Sequence, residues 1–269
     1  LLSRPNPTLT GRNFVITGAN TGIGWITARE IAKHGGNVIL ACRSQEKAEA
    51  AIAKIQSELA AISASGIGSL EFLPLDLQSL ESFWHQSYGP FVFTMLLLPL
   101  IPKGADAKSR IINLSSLAHT MPYSTGLLEL DQIMVWPQGE GSTSNLLFTK
   151  YLARHLPSSI QCFAVHPGYV DTELGRNLSS SYGSVVGTVA KGLAAVVAKS
   201  PESGAVTTLE GIKWAPSGTY FVPQGKVGTP SKFAMDERLA DKLWDMSLEI
   251  TKRVLGDKVV EEIKANLAA

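Results

Sequence analysis

The segment Thr17-Gly18-Ala19-Asn20-Thr21-Gly22-Ile23-Gly24 constrains this chain more than any other. It follows a short apolar run, Asn13-Phe14-Val15-Ile16, and precedes Trp25 to His34, a stretch of helix formers with Gly35 as a natural stop. A second apolar run, Asn37-Val38-Ile39-Leu40-Ala41, comes directly after Gly35-Gly36. Strand, helix and strand in so few residues is close to the shortest βαβ unit, and such units build parallel sheets. Glycines at that turn let the backbone bend tightly and approach a phosphate, which a helix N-terminus stabilises through its free N–H groups and dipole. The spacing is GxxxGxG rather than GxGxxG, and an ordinary tight turn has the same composition. The βαβ setting raises the ligand reading above that alternative.

Later segments keep the alternation. Ala48, Ile52, Ile55, Leu59 and Ile62 recur at helical spacing, Ser63 to Ser69 reads as a loop, and Leu70 to Leu75 as a third strand. Pro90 to Leu100 reads as a helix, Arg110 to Leu114 as a strand, and Asn145 to Leu156 as a helix stopped by Pro157. Ile160 to Val165 and Thr219 to Val222 follow as strands, with a helix candidate at Val185 to Lys199. Amphipathic helices at Asp236–Leu255 and Asp257–Leu267 close the chain. The pattern predicts an open, doubly wound parallel sheet in a single domain spanning residues 1–269, without repeats or linkers.

Composition removes several classes. The 24 basic and 23 acidic side chains nearly cancel and form no basic block, which leaves nucleic acid and anionic membranes no electrostatic case. Cys42 and Cys162 stand alone, so neither a disulfide scaffold nor a cysteine-rich zinc site is expected, and no metal is assigned. A reducing, cytoplasmic setting follows from the same usage. The apolar stretch Phe91 to Ile101 is too short to span a bilayer. Residue 1 is Leu rather than Met, which leaves room for a preceding anchor.

The end of the second strand discriminates between dinucleotides. A carboxylate about 20 residues beyond the glycines suits the ribose 2′-hydroxyl of NAD. Here the sequence is Ala41-Cys42-Arg43-Ser44, with a guanidinium that suits a 2′-phosphate. NADP is therefore expected.

These motifs, together with Leu75-Asp76-Leu77, Arg110-Ile111-Ile112-Asn113-Leu114-Ser115-Ser116-Leu117-Ala118-His119 and the run His166 to Arg176, resemble the short-chain dehydrogenase/reductase superfamily. The branch containing retinol dehydrogenases is the nearest in pattern. The resemblance implies a Rossmann-like α/β fold, with Gly18, Asn20, Gly22, Ile23, Gly24, Arg43, Asp76 and Leu77 holding the adenosine half of the cofactor. It puts Pro167, Gly168, Val170 and Thr172 around the nicotinamide, makes Ser116 the donor to the substrate oxygen, and gives residues from about 174 onward to a substrate lid and C-terminal helices. Plain alternatives are an N-cap for Asp76, a turn for Pro167-Gly168 and structural roles for His119 and His166.

Two departures stand against the matches. The family carries Tyr-x-x-x-Lys on the helix after the serine. Counting back from Asn145-Leu146-Leu147-Phe148-Thr149-Lys150 puts Gln138 and Ser142 at those positions. An amide is no general acid near neutral pH, and losing a positioned acid costs about 10²–10⁴ in rate. Tyr123 and Tyr151 have no lysine at the needed spacing and read as core or surface aromatics. The second departure is length: Leu77 to Phe91 holds one helix and a turn, where the family has a helix, a fourth central strand with Asn-Asn-Ala-Gly, and a loop. Without that strand, either Arg110–Leu114 shifts beside the first strand or backbone groups go unpaired.

The resemblance implies an NADP-dependent oxidoreductase of a lipophilic alcohol or carbonyl, with impaired or altered catalysis. The alternative is a non-redox protein of the same fold: a pseudo-enzyme, binding module or cyclisation catalyst that still binds NADP. The oligomeric state is not readable from these residues; the resemblance leaves a homodimer open, because relatives often pair through the helices near Pro90–Leu100 and Asn145–Leu156.

Overall fold

The computed structural model describes residues 9–62, 64, 66–77, 88–102, 109–120, 141–168, 170, 200–210 and 215–268. Its contacts gather into two compact units. One comprises Leu1–Asp76 with Pro167–Glu210, the other Leu77–His166 with Gly211–Ala269.

In the first unit β1 (Asn13–Thr17), β2 (Asn37–Cys42) and β3 (Leu70–Pro74) form a parallel sheet in the order β1-β2-β3. The register pairs Val15 with Ile39 and Leu40 with Phe72. Helix α1 (Gly22–Lys33) begins at the second glycine of the loop, three residues before the stretch read from propensity. The turn itself supplies its first residues. Trp25, Ile26, Ala28, Ile31 and Ala32 form its buried face. Helix α2 (Gln45–Ala61) is capped by Ser44, whose Oγ accepts the Lys47 N–H. Its buried positions are Ala48, Ala51, Ile55 and Leu59. Ile62, placed on that face by spacing, lies exposed just past the helix end.

Trp25 fixes the angle between these helices. Its Nε1–H donates to Ala51 O at 3.2 Å, while Arg29 and Lys54 lie over its ring. Arg29 also pairs with Glu58 at 3.0 Å and with the buried Glu30.

The second unit holds α3 (Tyr88–Leu97), β4 (Ser109–Leu114), α4 (Gly141–His155), β5 (Ile160–Val165), β6 (Tyr220–Val222) and β7 (Lys226–Val227). Its sheet runs β4-β5-β6-β7, parallel except for the last pair. Its core joins Phe91 and Met95 of α3, Phe148 and Leu152 of α4, and Trp244 and Ile263 near the chain's end. Burying each such large side chain contributes about 1.5–3 kcal/mol. Two C-terminal helices supply the last pair, with bounds Glu237–Leu255 and Asp257–Ala268, close to those read from sequence. Asp236 caps the first of them by accepting from Arg238 N–H and Leu239 N–H.

One further helix, Pro201–Glu210, belongs to the first unit and packs on α1; we label it α5 and the C-terminal pair α6 and α7. Sequence reading missed α5. The helix candidate at 185–199 lies outside the described residues.

The fold class is the expected one: parallel α/β ladders with helices between strands. Among the described residues β1 ladders only with β2, and β4 only with β5.

Candidate functional site

In the first unit the cofactor candidates sit at the carboxyl ends of adjacent parallel strands, where open α/β sheets take ligands. The glycine turn leaves β1, Arg43 leaves β2 and Asp76 lies just beyond β3. Gly18 N–H donates to Ala41 O at 3.0 Å and Leu75 N–H to Cys42 O at 3.0 Å, which ties all three exits together. Arg43 and Asp76 are exposed there.

The turn needs its glycines. Gly18 and Gly22 have φ of +63° and +57°, the left-handed region that side chains disfavour. A Cβ on Gly24 would meet Gly18 O at 2.6 Å, so only glycine lets α1 start this close to the loop. Thr21 makes no side-chain cap, and the first turn of α1 holds no acid. Its leading N–H groups thus keep their positive end unopposed, which suits an anion.

Cys42 lies under this loop. Burial pushes its thiol up, while hydrogen bonds from the backbone at Ala19 and Asn20 act in the opposite direction. Ile23 and Val170 are brought together over Gly204 of α5, where a Cβ would meet Val170 Cγ2 at 2.7 Å and Ile23 Cδ1 at 3.1 Å. Pro167 and Gly168 are half-buried beside them in sequence, Gly168 with φ +93°. Asn20 is half-buried in the loop. Leu77 is placed differently: it belongs to the second unit and packs against Gly89 of α3. Thr172 lies outside the described residues.

The serine centre belongs to the second unit. Ser115 N–H donates to Val165 O at 2.7 Å, extending the β4–β5 ladder by one bond. The Ser115 hydroxyl donates to Ser142 O at 2.9 Å, and Ser116 Oγ lies 2.8 Å from Ser142 Oγ. Asn145 Nδ2 donates to Leu114 O at 2.8 Å, and Asn113 Nδ2 to Thr149 Oγ1 at 3.0 Å. Together these bonds lock the end of β4 to α4.

Below Ser116, His119 is buried with Nδ1 at 2.6 Å from Ser116 O. A carbonyl only accepts, so Nδ1 carries the proton. The imidazole meets the Tyr220 ring edge-on at 5.2 Å, and burial pushes the Tyr220 hydroxyl up to about 12. His166 is buried at the end of β5, its N–H donating to Phe221 O. Tyr151 stacks between His155 and Trp244, on the α6 side of α4. Gln138 and Tyr123 lie outside the described residues.

The bonds of Ser142, Asn145 and His119 to the segment 114–116 were not foreseen. Spacing alone carries no signal for them: the partners of Ser142 and Asn145 are carbonyls or a hydroxyl far away in sequence, and that of His119 is a backbone carbonyl three residues back.

Comparison with known proteins decides the family. Residues 12–81 match the short chain dehydrogenase model. Human dehydrogenase/reductase SDR family member 13 is 33% identical over 300 residues, covering 92% of this chain and 74% of the relative. Human retinol dehydrogenase 13 is 33% identical over 298 residues, covering 90% and 85%.

The chain belongs to the short-chain dehydrogenase/reductase family.

It is an oxidoreductase family, and this member is of the retinol-dehydrogenase-like kind. The stretches matched, 300 and 298 residues, exceed the 269 residues of this chain, so those relatives carry residues without a counterpart here. Among solved structures, an uncharacterized protein from Mycobacterium paratuberculosis superposes with a TM-score of 0.66 at 26% identity, covering 91% of this chain and 95% of that one. Pseudomonas aeruginosa RhlG, solved as an NADP active-site complex, shares the fold with a TM-score of 0.60 at 17% identity, over 81% of this chain and 97% of its own. Among the described residues of this family member, no helix is long and apolar enough to cross a membrane.

Proposed function

We propose that this chain binds NADP(H) and acts as a short-chain oxidoreductase on a lipophilic alcohol or carbonyl, more slowly than a member with the full Tyr-x-x-x-Lys pair. The observation that carries the reading is the meeting of the glycine turn, Arg43 and Asp76 at the carboxyl ends of β1, β2 and β3. The residues present fit a dinucleotide. Gly24 lets α1 start tight against the carbonyl of Gly18, α1 offers an unopposed positive end, and Arg43 supplies a guanidinium after β2 in place of the carboxylate that favours NAD.

When bound, the nicotinamide supplies or accepts hydride. The chain's own part is binding and orientation. Gly18, Asn20, Gly22, Ile23 and Gly24 cradle the pyrophosphate, Arg43 takes the 2′-phosphate, and Asp76 borders the adenine. Pro167, Gly168, Val170 and Thr172 flank the nicotinamide. Ser116 donates to the substrate oxygen while Ser142 and His119 hold its hydroxyl and its carbonyl in place. With Gln138 counted at the tyrosine position, the proton comes from water or from a group still to be identified.

A second reading has its own observation. Ser116 faces a neutral hydroxyl where the family has an ammonium group, so the site lacks the charge that makes a phenol acidic. On this reading the chain binds NADP without turnover.

Calorimetric titration with NADPH and NADH, followed by NADPH consumption with decanal as a lipophilic carbonyl, tests both. Preferential NADPH binding with slow turnover supports the first reading, and binding without turnover supports the second. Binding of neither nucleotide overturns both.

A further inference from the structure

Helix α5 holds a glycine that its own backbone does not require. Ser200 Oγ accepts the Ser203 N–H, Pro201 opens the first turn and Glu202 stands in it, so the start of the helix is fixed without Gly204. Gly204 N–H donates to Ser200 O at 3.2 Å, an ordinary helical bond. Its backbone also stays out of the left-handed region that glycine alone enters freely. Glycine weakens a helix relative to alanine. Its use at this position lies in what packs against it.

Gly204 is buried, and a Cβ there would meet Val170 Cγ2 at 2.7 Å and both Ile23 Cδ1 and Ile23 Cγ1 at 3.1 Å. Val and Ile branch at Cβ and keep few χ1 positions. Neither Val170 Cγ2 nor Ile23 Cγ1 can retreat unless the whole side chain turns. Ile23 is held from its other side too, because its carbonyl accepts from Thr27 Oγ1 at 2.8 Å. Val170 makes the closer approach and takes most of any displacement. All four residues belong to the first unit.

On the reading given above, Ile23 belongs to the pyrophosphate cradle and Val170 to the surround of the nicotinamide. Resting on that reading, we propose that Gly204 is a positioning residue for the cofactor and acts through Val170. Without a Cβ, α5 lets Val170 close against Ile23, and this sets the spacing between the residues that serve the two ends of the dinucleotide. An alanine at 204 leaves the adenosine half of the site in place and displaces the nicotinamide half.

Titration with NADPH and with adenosine 2′,5′-bisphosphate, which keeps the adenine and the 2′-phosphate but has no nicotinamide, tests this. Gly204→Ala should weaken NADPH about tenfold, the size of a modest overpacking, and the bisphosphate less than about twofold. A helix that was merely loosened would weaken both alike. Val170→Ala removes the methyl that the new Cβ meets, so in that background Gly204→Ala should weaken NADPH by about twofold or less. Hydrogen exchange on the unmodified chain needs no variant and decides the matter if Gly204→Ala does not fold. NADPH should slow the Gly204 and Ala205 amides at least about threefold more than the bisphosphate does. Equal weakening of both ligands, NADPH binding unmoved by Gly204→Ala, no relief in the Val170→Ala background, or the same exchange with either ligand overturns the inference and leaves the NADP reading standing. An unmodified chain that binds neither ligand overturns the two together.

Discussion

Ser142 Oγ stands 2.8 Å from Ser116 Oγ, a hydroxyl facing a hydroxyl, and counting back along α4 assigns Ser142 the position that the resemblance gives to a lysine. A serine can orient its neighbour but brings no charge, so it cannot depress the pKa of a phenol as an ammonium group does. The Ser115 hydroxyl on Ser142 O holds that residue in the same place.

The first prediction restores what the sequence lacks. Gln138→Tyr with Ser142→Lys should raise carbonyl reduction by about 10²–10⁴-fold over the unmodified chain. Either change alone should give much less, because the phenol needs the ammonium group. Steady-state NADPH oxidation measures it. A double variant no faster than its parent would place the defect elsewhere than the proton donor.

The glycine turn gives the second. Gly24→Ala drives a Cβ to 2.6 Å from Gly18 O, a backbone atom without freedom to yield. Overpacking of this kind costs about 1–3 kcal/mol, and here it also moves the N–H groups that face the phosphate. Thermal denaturation should show a lower midpoint, and NADPH titration a loss of binding larger than the loss of stability explains.

Arg43 decides between nucleotides. Charge-assisted bonds contribute about 1.5–3 kcal/mol, so Arg43→Ser should weaken NADPH by roughly 10–100-fold and leave NADH nearly unchanged. The preference for NADPH should also shrink with added salt in the unmodified chain, because Arg43 is exposed. Parallel titrations at two ionic strengths provide the check.

Alkaline pH is the fourth. Burial pushes the Cys162 thiol from 9.0 up to about 12, and the Tyr220 hydroxyl from 10.0 to about 12. Cys42, Tyr88 and Tyr151 shift in the same direction. In each case the folded chain keeps a proton that the unfolded chain releases. Their stabilising contribution is therefore complete below pH 9 and is lost as the pH rises toward 12. Each fully buried group steepens the fall by up to about 1.4 kcal/mol per pH unit. Urea unfolding at pH 8, 9.5 and 10.5 should show this, and Cys162→Ala should flatten the slope above pH 9.

Most of the scaffold was legible because its signals are local. The run Asn13–Ile16, the glycine turn and the amphipathic stretch after Ser44 each carry their own periodicity or cap, and the structure forms them within a few residues of the expected bounds. Gly18, Arg43 and Asp76 could be placed together because parallel strands bring their carboxyl ends to one rim whatever the side chains are. Helix α5 was missed because its buried positions, Gly204, Ala205, Thr207 and Leu209, are small and mixed in polarity, so no apolar stripe announces them. The bonds joining Ser142, Asn145 and His119 to the end of β4 were invisible for another reason. Hydroxyls and amides suit a surface and a buried clamp equally well, and only the fold tells which one they occupy.

The first unit closes late in the chain. Helix α1 packs on α5, so residues from position 22 onward wait for Pro201–Glu210 to find their cover. At the usual pace of synthesis, about 5–20 residues per second, that wait is on the order of ten seconds. During this interval the β1–β3 half emerges from the ribosome with one side of α1 bare. Chaperone demand in the cell should therefore fall on nascent chains between these two positions. A ribosome stalled before residue 201 should display a protease-sensitive N-terminal half that one stalled well beyond residue 210 no longer shows.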